Sequence, residues 1–147
     1  MSEEIMSRIS KLLASQNLCV LGTSDHGHPY TSLIVYAELP DLAHIVFFTR
    51  RDRRKYRNLK SDSRVSLYID SREKGARDPA TIEGISITGV AWEIKKSEEF
   101  EELRMLYEKK NPHMNHFADD PDSLMFRINI ETIKYVVNFD EAYEMNI

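Results

Sequence analysis

Residues 46–69, VFFTRRDRRKYRNLKSDSRVSLYI, place a strongly basic segment between two apolar runs. The flanking runs HIVFFT and RVSLYID are rich in β-branched and aromatic residues, which predicts two short strands. The polar stretch between them, DRRKYRNLKSD, predicts a short helix. A strand therefore ends and a helix begins where the positive charge is densest.

The positive charge is concentrated in residues 47–60, which carry seven Arg or Lys side chains and one Asp, for a formal charge of +6. The whole chain of 147 residues has a formal net charge of -4, so the remaining residues sum to -10, because -4 minus 6 is -10. A chain that is acidic elsewhere repels long nucleic acids and anionic membranes. We therefore expect a small anion as the ligand, with no nucleic-acid or membrane partner.

The placement of the basic residues favours a phosphate site. Thr49 ends a predicted strand, and Arg54 and Lys55 fall near the start of the following helix, where free backbone N–H groups and the helix dipole attract a phosphate. Arg offers a planar two-pronged donor and Lys a point charge, which together suit a terminal phosphate dianion. The alternative is a solvated helix face, and Tyr56, Arg57 and Lys60 are expected to face solvent in either case.

Further strands and helices surround this segment. The runs LCVLGTS and TSLIVYAEL flank DHGHP and predict a hairpin, and the long run ISITGVAWEI contains Gly89, which indicates a bulge or a sharp bend. The segments MFRINI, TIKYVVNF and AYEMNI predict more strands. Helices are predicted near the N-terminus, from the spacing of Ile5 and Ile9, and after the capping residue Ser97. The strands follow one another without regular β-helix-β alternation, which predicts a closed or nearly closed antiparallel barrel with two or three helices outside.

Cysteine usage and the absence of long apolar runs predict the compartment. Cys19 is the only cysteine, so the chain has no intrachain disulfide and no zinc site built from cysteines. The N-terminus lacks the basic start and continuous apolar run of a signal peptide, and no stretch approaches the ~20 apolar residues of a membrane span. We expect a cytoplasmic protein.

Four histidines invite a metal or haem interpretation. His26 and His28 form one pair and His113 and His116 another, both in predicted loops, and neither spacing matches a zinc motif such as HExxH. We expect no metal site. The sequence also lacks G-x-S-x-G, P-loop and GxGxxG motifs, so hydrolase and nucleoside-triphosphate chemistry lack their usual marks.

The strand-helix-strand segment resembles the corresponding unit of the pyridoxamine 5'-phosphate oxidase-like FMN-binding split barrels. The pattern of that family is an aromatic residue, Tyr or Phe, then Thr, a short gap, Arg-Lys, and a Pro- or Ser-Arg-Val strand. Phe48, Thr49, Arg54 and Lys55 stand at the matching places. VLGTSDHGHPYTSLIVYA is similar to the first hairpin of the family, ISITGVAWEI to its Gly-containing strand, and IKYVVNFDEAYEMNI to its C-terminal strand pair. The main likeness covers residues 16–110.

The resemblance implies a mainly β (α+β) fold, an antiparallel split β-barrel with two to three peripheral helices, as one domain over residues 1–147. It also implies a homodimer that binds one FMN per subunit at the interface. In that family the backbone of the second strand, here residues 31–34, lies along the flavin ring, and the basic segment holds the phosphate. A residue of the 70–80 loop is expected to reach the partner's flavin. The expected cofactor-binding residues are Thr31, Ser32, Leu33, Ile34, Thr49, Arg54, Lys55 and Arg72.

The expected activity is oxidoreduction through FMN of a small-molecule substrate that the sequence does not identify. The true oxidase of the family has an Arg where this chain has Thr31 and a Lys where it has Tyr36, and its Arg-rich C-terminal motif is missing here. These departures argue against oxidation of pyridoxamine phosphate, and no side chain is assigned as the catalytic acid or base. Two alternatives remain open at this point: a haem-binding or haem-degrading split barrel, and a non-catalytic module that binds flavin or nucleic acid.

Overall fold

The first hairpin forms as the DHGHP segment predicts. The structure, a computed structural model, describes residues 2–74 and 78–147. Strand β1 (Leu18–Asp25) pairs with β2 (His28–Glu38) through a two-residue turn at His26 and Gly27, whose φ angles are 50° and 81°. Two successive positive φ angles match the right-handed twist of the flanking strands. The hairpin register is therefore set by the turn.

Six strands close the predicted barrel. The sheet runs in the order β3-β2-β1-β4-β5-β6-β7, and an additional pairing of β3 with β6 closes the first six strands. The fold is thus an antiparallel split β-barrel, which confirms the predicted class. The remaining strands are β3 (His44–Arg50), β4 (Arg64–Asp70), β5 (Gly84–Ile94), β6 (Ser123–Val137) and β7 (Glu141–Asn146).

Strand β6 differs from the prediction of separate strands for MFRINI and TIKYVVNF, because these segments form one continuous strand of 15 residues. Its first half, residues 123–129, pairs with β3, and its second half, residues 132–137, pairs with β7. One long strand therefore both closes the barrel and carries a hairpin beyond it.

The predicted bulge occurs at Gly89. The register between β5 and β6 shifts between Thr88 and Gly89, which pair with Thr132 and Ile130, so one residue of β6 is skipped. A Cβ atom on Gly89 would collide with the backbone carbonyl oxygen of Asn129. The close approach of two backbones at this bend requires glycine.

The helices pack outside the strands. The N-terminal and post-β5 helices begin with the capping residues Ser2 and Ser97, whose side chains accept hydrogen bonds from the backbone N–H groups of Ile5 and Phe100. Three helices meet the prediction, and a short fourth one is added. None of the described helices is long and apolar enough to cross a membrane. The helices are α1 (Glu3–Ser15), α2 (Arg54–Ser61), α3 (Glu98–Lys110) and α4 (Asn115–Asp119).

Strand β3 is buried on both faces and so separates two apolar clusters. Ile45 and Phe47 belong to the inner cluster, which fills the barrel and includes residues of α1 and α2. Val46 and Phe48 belong to a smaller outer cluster beneath α3 and α4. The continuous apolar run HIVFF reflects this double burial. The end of β3 therefore lies between the barrel and the outer helices.

Replacing Gly89 with Ala is expected to lower the free energy of unfolding by about 1–3 kcal/mol, the usual cost of forcing extra volume into a packed site. The Cβ atom would meet backbone, which cannot rotate away. Urea unfolding measures the loss. Gly22→Ala is the matched control, since its Cβ atom meets the side-chain hydroxyl of Ser66. Equal losses in the two variants would contradict this explanation of Gly89.

Candidate functional site

A cavity of about 170 Å³ lies at the end of β3, bounded by β2, the start of α2, the end of α3 and the segment that leads into α4. One end is polar and basic, with Thr49, Arg50, Arg53 and Lys55 in its wall. The rest of the wall is apolar and comes from β2, β3 and the outer helices. The cavity thus joins a cationic end to an apolar end, as a phosphate ester with an organic group requires.

Three hydroxyl groups, those of Ser32 on β2, Thr49 on β3 and Ser123 on β6, are buried without partners within the described residues. Of these three residues, Thr49 is wholly buried. Burying a polar group unpaired costs ~1–3 kcal/mol, so such groups call for an explanation. Thr49 is the one of these residues that also lines the cavity.

Lys55 lies in the first turn of α2 and lines the cavity. Its pKa is lowered, first by burial and second by the positive charge of Arg53. Arg53 is the N-cap residue of α2, and within the described ranges no side chain caps this helix end. The start of α2 therefore combines a lysine of the cavity wall with a helix end that has no side-chain cap among the described residues, and its role as an anion site stays a prediction.

Arg50 also lines the cavity, but its guanidinium is engaged by carboxylates. It pairs with Asp120, and it lies 3.5 Å from Asp52 and 3.9 Å from Asp122. Asp120 follows α4 directly, so this ion pair links the end of β3 to the outer helices. The basic end of the cavity is therefore partly neutralised by acidic residues of a neighbouring segment.

Arg54 does not line the cavity, although Lys55 next to it does. Its guanidinium lies 4.3 Å from the centre of the Tyr30 ring, in a cation–π contact with the first hairpin. The structure thus divides the predicted Arg54–Lys55 pair, and a phosphate role for Arg54 stays a prediction. Farther along α2, Arg57 and Lys60 are exposed as predicted; Arg57 contacts the backbone oxygen of Asp52, and Lys60 lies 3.8 Å from Glu93. The prediction for Tyr56 is wrong, because its ring is partly buried against the barrel core, 6.2 Å from that of Phe126.

The predicted flavin strand, residues 31–34, alternates between solvent and interior as a β-strand must. Thr31 and Leu33 are exposed, whereas Ile34 is buried. Leu33 and Ile34 line the cavity, so this part of β2 adjoins the basic end. The structure therefore brings together Leu33, Ile34, Thr49 and Lys55 of the predicted set.

Arg72 lies apart from that cavity. Its guanidinium donates to the carboxylate of Asp70, at 2.6 Å, which lowers the pKa of that carboxyl. It lines a second cavity of about 240 Å³, which also includes Leu33 and Tyr68. Leu33 borders both cavities, so the two cavities are adjacent at this residue. Residues 75–77 of the predicted 70–80 loop lie outside the described residues.

Four apolar side chains are exposed together on the outer face of the barrel. Val20 of β1 pairs in register with Leu33 of β2 and with Tyr68 of β4, so these side chains are neighbours across three strands. Leu33 is 61% exposed. Contiguous exposed apolar groups usually mark an interaction surface. We call Leu18, Val20, Leu33 and Tyr68 the outer apolar patch.

The histidines do not form a metal site in this structure. His113 lies in a short 3-10 turn and His116 in α4, and both are exposed. In the ranges 2–74 and 78–147, no three His, Cys, Asp or Glu side chains are grouped to hold a metal ion. Between these histidines, Met114 contributes to the cavity wall, as does Phe117 directly after them.

Sequence reasoning missed several residues of the cavity. Arg50 and Arg53 belong to the basic segment, but nothing in the pattern distinguishes them from their neighbours. Met114 and Phe117 lie in a segment that attracts attention only for its histidines. Their position in the wall depends on how α3 and α4 fold back over β3, which a strand-and-helix pattern does not specify.

The chain matches a known family over most of its length. A family model described as pyridoxamine 5'-phosphate oxidase covers residues 5–137. A search among curated proteins gives no match.

Solved structures share the fold. A Clostridium acetobutylicum protein related to general stress protein 26, of the pyridoxinephosphate oxidase family, has a TM-score of 0.76 and 17% identity, with 100% of this chain and 97% of that chain covered. A heme binding protein from Mycobacterium smegmatis has a TM-score of 0.82 and 20% identity, with 92% and 55% covered. A FAD-binding protein from Mesorhizobium loti has a TM-score of 0.72 and 20% identity, with 88% and 90% covered. This chain thus spans little more than half of the heme binding protein.

Replacing Lys55 with Met is expected to raise the free energy of unfolding of the ligand-free protein at neutral pH. The pKa of Lys55 is lowered from 10.5 in the folded state, so the unfolded chain holds the proton more favourably. This penalty is fully present below the folded-state pKa and disappears as the pH rises toward 10.5. The advantage of Lys55→Met should therefore shrink in alkaline solution.

Urea unfolding of both proteins from neutral to alkaline pH measures this effect. Lys60→Met is the control, because its exposed side chain lies on the same helix, and its effect on unfolding should be small throughout. If the free energy of unfolding of Lys55→Met exceeds that of wild type by the same amount at every pH, the increase comes from packing and not from removal of the charge.

Proposed function

This chain belongs to the pyridoxamine 5'-phosphate oxidase family, and we propose that it is an FMN-binding oxidoreductase whose flavin phosphate occupies the basic end of the cavity. The observation that carries the proposal is the wholly buried Thr49, which shares the cavity wall with Lys55 at the start of α2 and whose hydroxyl has no partner within the described residues. A phosphate ester would accept hydrogen bonds from both groups and from the helix start. A buried hydroxyl or ammonium group can donate a hydrogen bond to an anionic ligand. Without such a partner, its burial lowers the stability of the fold.

The organic part of the ligand would lie along residues 31–34 of β2. Leu33 borders the cavity and also belongs to the outer apolar patch. An aromatic ring system that contacts Leu33 could therefore pack against the apolar side chains of this patch. The cavity of about 170 Å³ accommodates the phosphate end of a flavin and leaves the ring outside it. Ring burial would then need a covering surface, which a second copy of the chain supplies in this proposal.

When bound, FMN would supply the redox chemistry by accepting hydride or electrons from a small-molecule substrate. The chain itself would bind the phosphate through Lys55 and Thr49, orient the ring along β2 and exclude water from one of its faces. We assign no residue as acid or base. We propose that residues 1–147 form one FMN-binding domain.

The substrate of this chain is proposed to differ from pyridoxamine phosphate. The resemblance places a substrate-phosphate Lys of the true oxidase at Tyr36, and here Tyr36 is wholly buried. Its hydroxyl donates to the backbone oxygen of Leu13 at 2.6 Å, so it holds α1 against β2. A side chain engaged in this way does not serve a substrate phosphate.

We propose a homodimer that buries the outer apolar patch. The patch spans three strands, and Leu33 connects it to the cavity through the shared wall. Arg72 borders the same surface and would face the partner's flavin, as the resemblance implies. Burial of this surface in a dimer would cover both the apolar side chains and the exposed flavin ring.

A haem ligand is the second candidate, because the heme binding protein from Mycobacterium smegmatis shares the fold. In this chain His113 and His116 flank Met114, which lies in the cavity wall, so an imidazole is available near the apolar end. The basic end would then meet the propionate groups of haem instead of a phosphate.

Lys55→Ala is expected to weaken FMN binding by about ten- to a hundredfold, since a charge-assisted hydrogen bond contributes roughly 1.5–3 kcal/mol. Thr49→Val should also weaken it, because the hydroxyl is lost while the shape is kept. Fluorescence titration with FMN measures both, and riboflavin, which lacks the phosphate, should bind all variants alike. Arg57→Ala, on the exposed face of α2, is the matched control.

Arg54→Ala, in the same titration, decides the role of that residue. A loss comparable to that of Lys55→Ala would support the resemblance, and binding equal to wild type would support the cavity geometry. A purified protein that is colourless and takes up no FMN contradicts the flavin proposal. A Soret band on haem titration that His113→Ala or His116→Ala alters would favour the second candidate.

Leu33→Glu is expected to convert the dimer to a monomer, because it places a charge within the apolar interface. Analytical ultracentrifugation measures the change in mass. Met105→Glu is the control, since Met105 is exposed on α3 and lies outside the outer apolar patch. Wild-type protein that sediments as a 17.2 kDa species with FMN bound would contradict the dimer.

A further inference from the structure

Arg50 is the one residue of the cavity wall whose cationic group is paired, within the described ranges, to carboxylates from a separate segment. Its side chain is 31% exposed, and that of its partner Asp120 is 24% exposed. An Arg beside a phosphate-binding Lys would ordinarily be expected to bind the phosphate as well, in the two-pronged geometry that guanidinium favours. Here the guanidinium of Arg50 pairs with the carboxylate of Asp120.

Cationic and anionic side chains lie close together at Arg50. Three cationic side chains line the basic end of the cavity, namely those of Arg50, Arg53 and Lys55. Three carboxylates lie within 4.0 Å of the Arg50 guanidinium, those of Asp52, Asp120 and Asp122. A phosphate dianion brought into this end adds negative charge beside these carboxylates. It is therefore expected to compete with the nearest of them for Arg50.

Asp120 is attached to a segment that has its own support. Its other carboxylate oxygen accepts a hydrogen bond from the backbone N–H of Asp122 at 2.9 Å. Asp119, one residue earlier, pairs with Arg104 of α3. The segment would therefore remain attached to α3 if Arg50 left Asp120, so the exchange does not require the outer helices to unfold.

We propose that Arg50 is a further phosphate-binding residue that Asp120 holds in the ligand-free protein and releases to the phosphate on binding. The proposal rests on the proposed function, which places a phosphate in this cavity. The carboxylate of Asp120 keeps the guanidinium at the cavity wall in one orientation, and the phosphate replaces that carboxylate as its partner. Release of Asp120 loosens the link between β3 and the segment after α4, whose neighbours Met114 and Phe117 form the apolar wall.

Asp120→Asn tests the exchange. This variant keeps the shape of the side chain and the oxygen that accepts from Asp122, but it removes the competing charge. FMN affinity should rise by about two- to tenfold, the range expected for a partly exposed ion pair, and riboflavin affinity should not change. Asp119→Asn is the matched control, because it removes the same charge from the same segment without touching Arg50.

Arg50→Gln completes a double-mutant cycle. In this background FMN binding should be weaker, and Asp120→Asn should no longer improve it. If Asp120→Asn tightens binding equally with and without Arg50, Asp120 acts as a general negative charge and the exchange is wrong. Equal effects of Asp119→Asn and Asp120→Asn, or no effect of Asp120→Asn, would mean that the Arg50–Asp120 pair is only structural.

A flavin-independent measurement separates this proposal from the proposed function. Inorganic phosphate should speed amide hydrogen exchange in residues 115–122 of the wild-type protein and leave it unchanged in Arg50→Gln. If the wild-type protein binds no FMN but shows this response to phosphate, the proposed function is wrong, and the replacement of Asp120 by phosphate as the partner of Arg50 is supported. If FMN binds, but neither FMN nor phosphate changes amide hydrogen exchange in these residues, Arg50 does not change partner on binding. In that case this proposal is wrong and the proposed function stands.

Discussion

The pairing of β3 with β6 is the constraint on which the rest of the structure depends. Seven consecutive residues of β3, His44–Arg50, are paired with residues 123–129 of β6, and the rings of Phe47 and Phe126 stack at 5.7 Å across this junction. Closing the barrel here buries β3 on both faces. It also fixes where β3 ends, and thereby where the cavity and the start of α2 lie.

The basic segment acts as several separate groups instead of one positive surface. Lys55 enters the cavity, Arg54 stacks on Tyr30, Arg50 pairs with acidic residues, and Lys60 lies near Glu93. Each environment gives a charge a different partner, because desolvation and pairing depend on the direction of the side chain. The number of cationic residues in the sequence therefore indicates that the segment attracts an anion. The individual contacts in the structure indicate which cationic side chain can bind it.

Tyr36, one of the departures from the pattern of the true oxidase, lies at a position that the fold uses for support. Lys110 donates to the backbone oxygen of Leu13 at 2.8 Å and lies 4.0 Å from the centre of the Tyr36 ring. Asn111 donates to the backbone oxygen of Tyr36 at 3.0 Å. This network joins α1, β2 and the end of α3 behind the cavity. The chain therefore keeps the architecture of the family, and Tyr36 is part of its structural support.

The sequence by itself determined the barrel, its helices, the hairpin turn and the bulge at Gly89, because these follow from local periodicity, capping and glycine geometry. It also placed Thr49 and Lys55 beside one another, since a strand end and a helix start are close along the chain. Only the tertiary structure decided that β6 is continuous, that Arg54 leaves the cavity, and that Asp120 reaches Arg50. Those outcomes depend on strand closure and on contacts between residues far apart in the chain, which periodicity and local propensity do not encode.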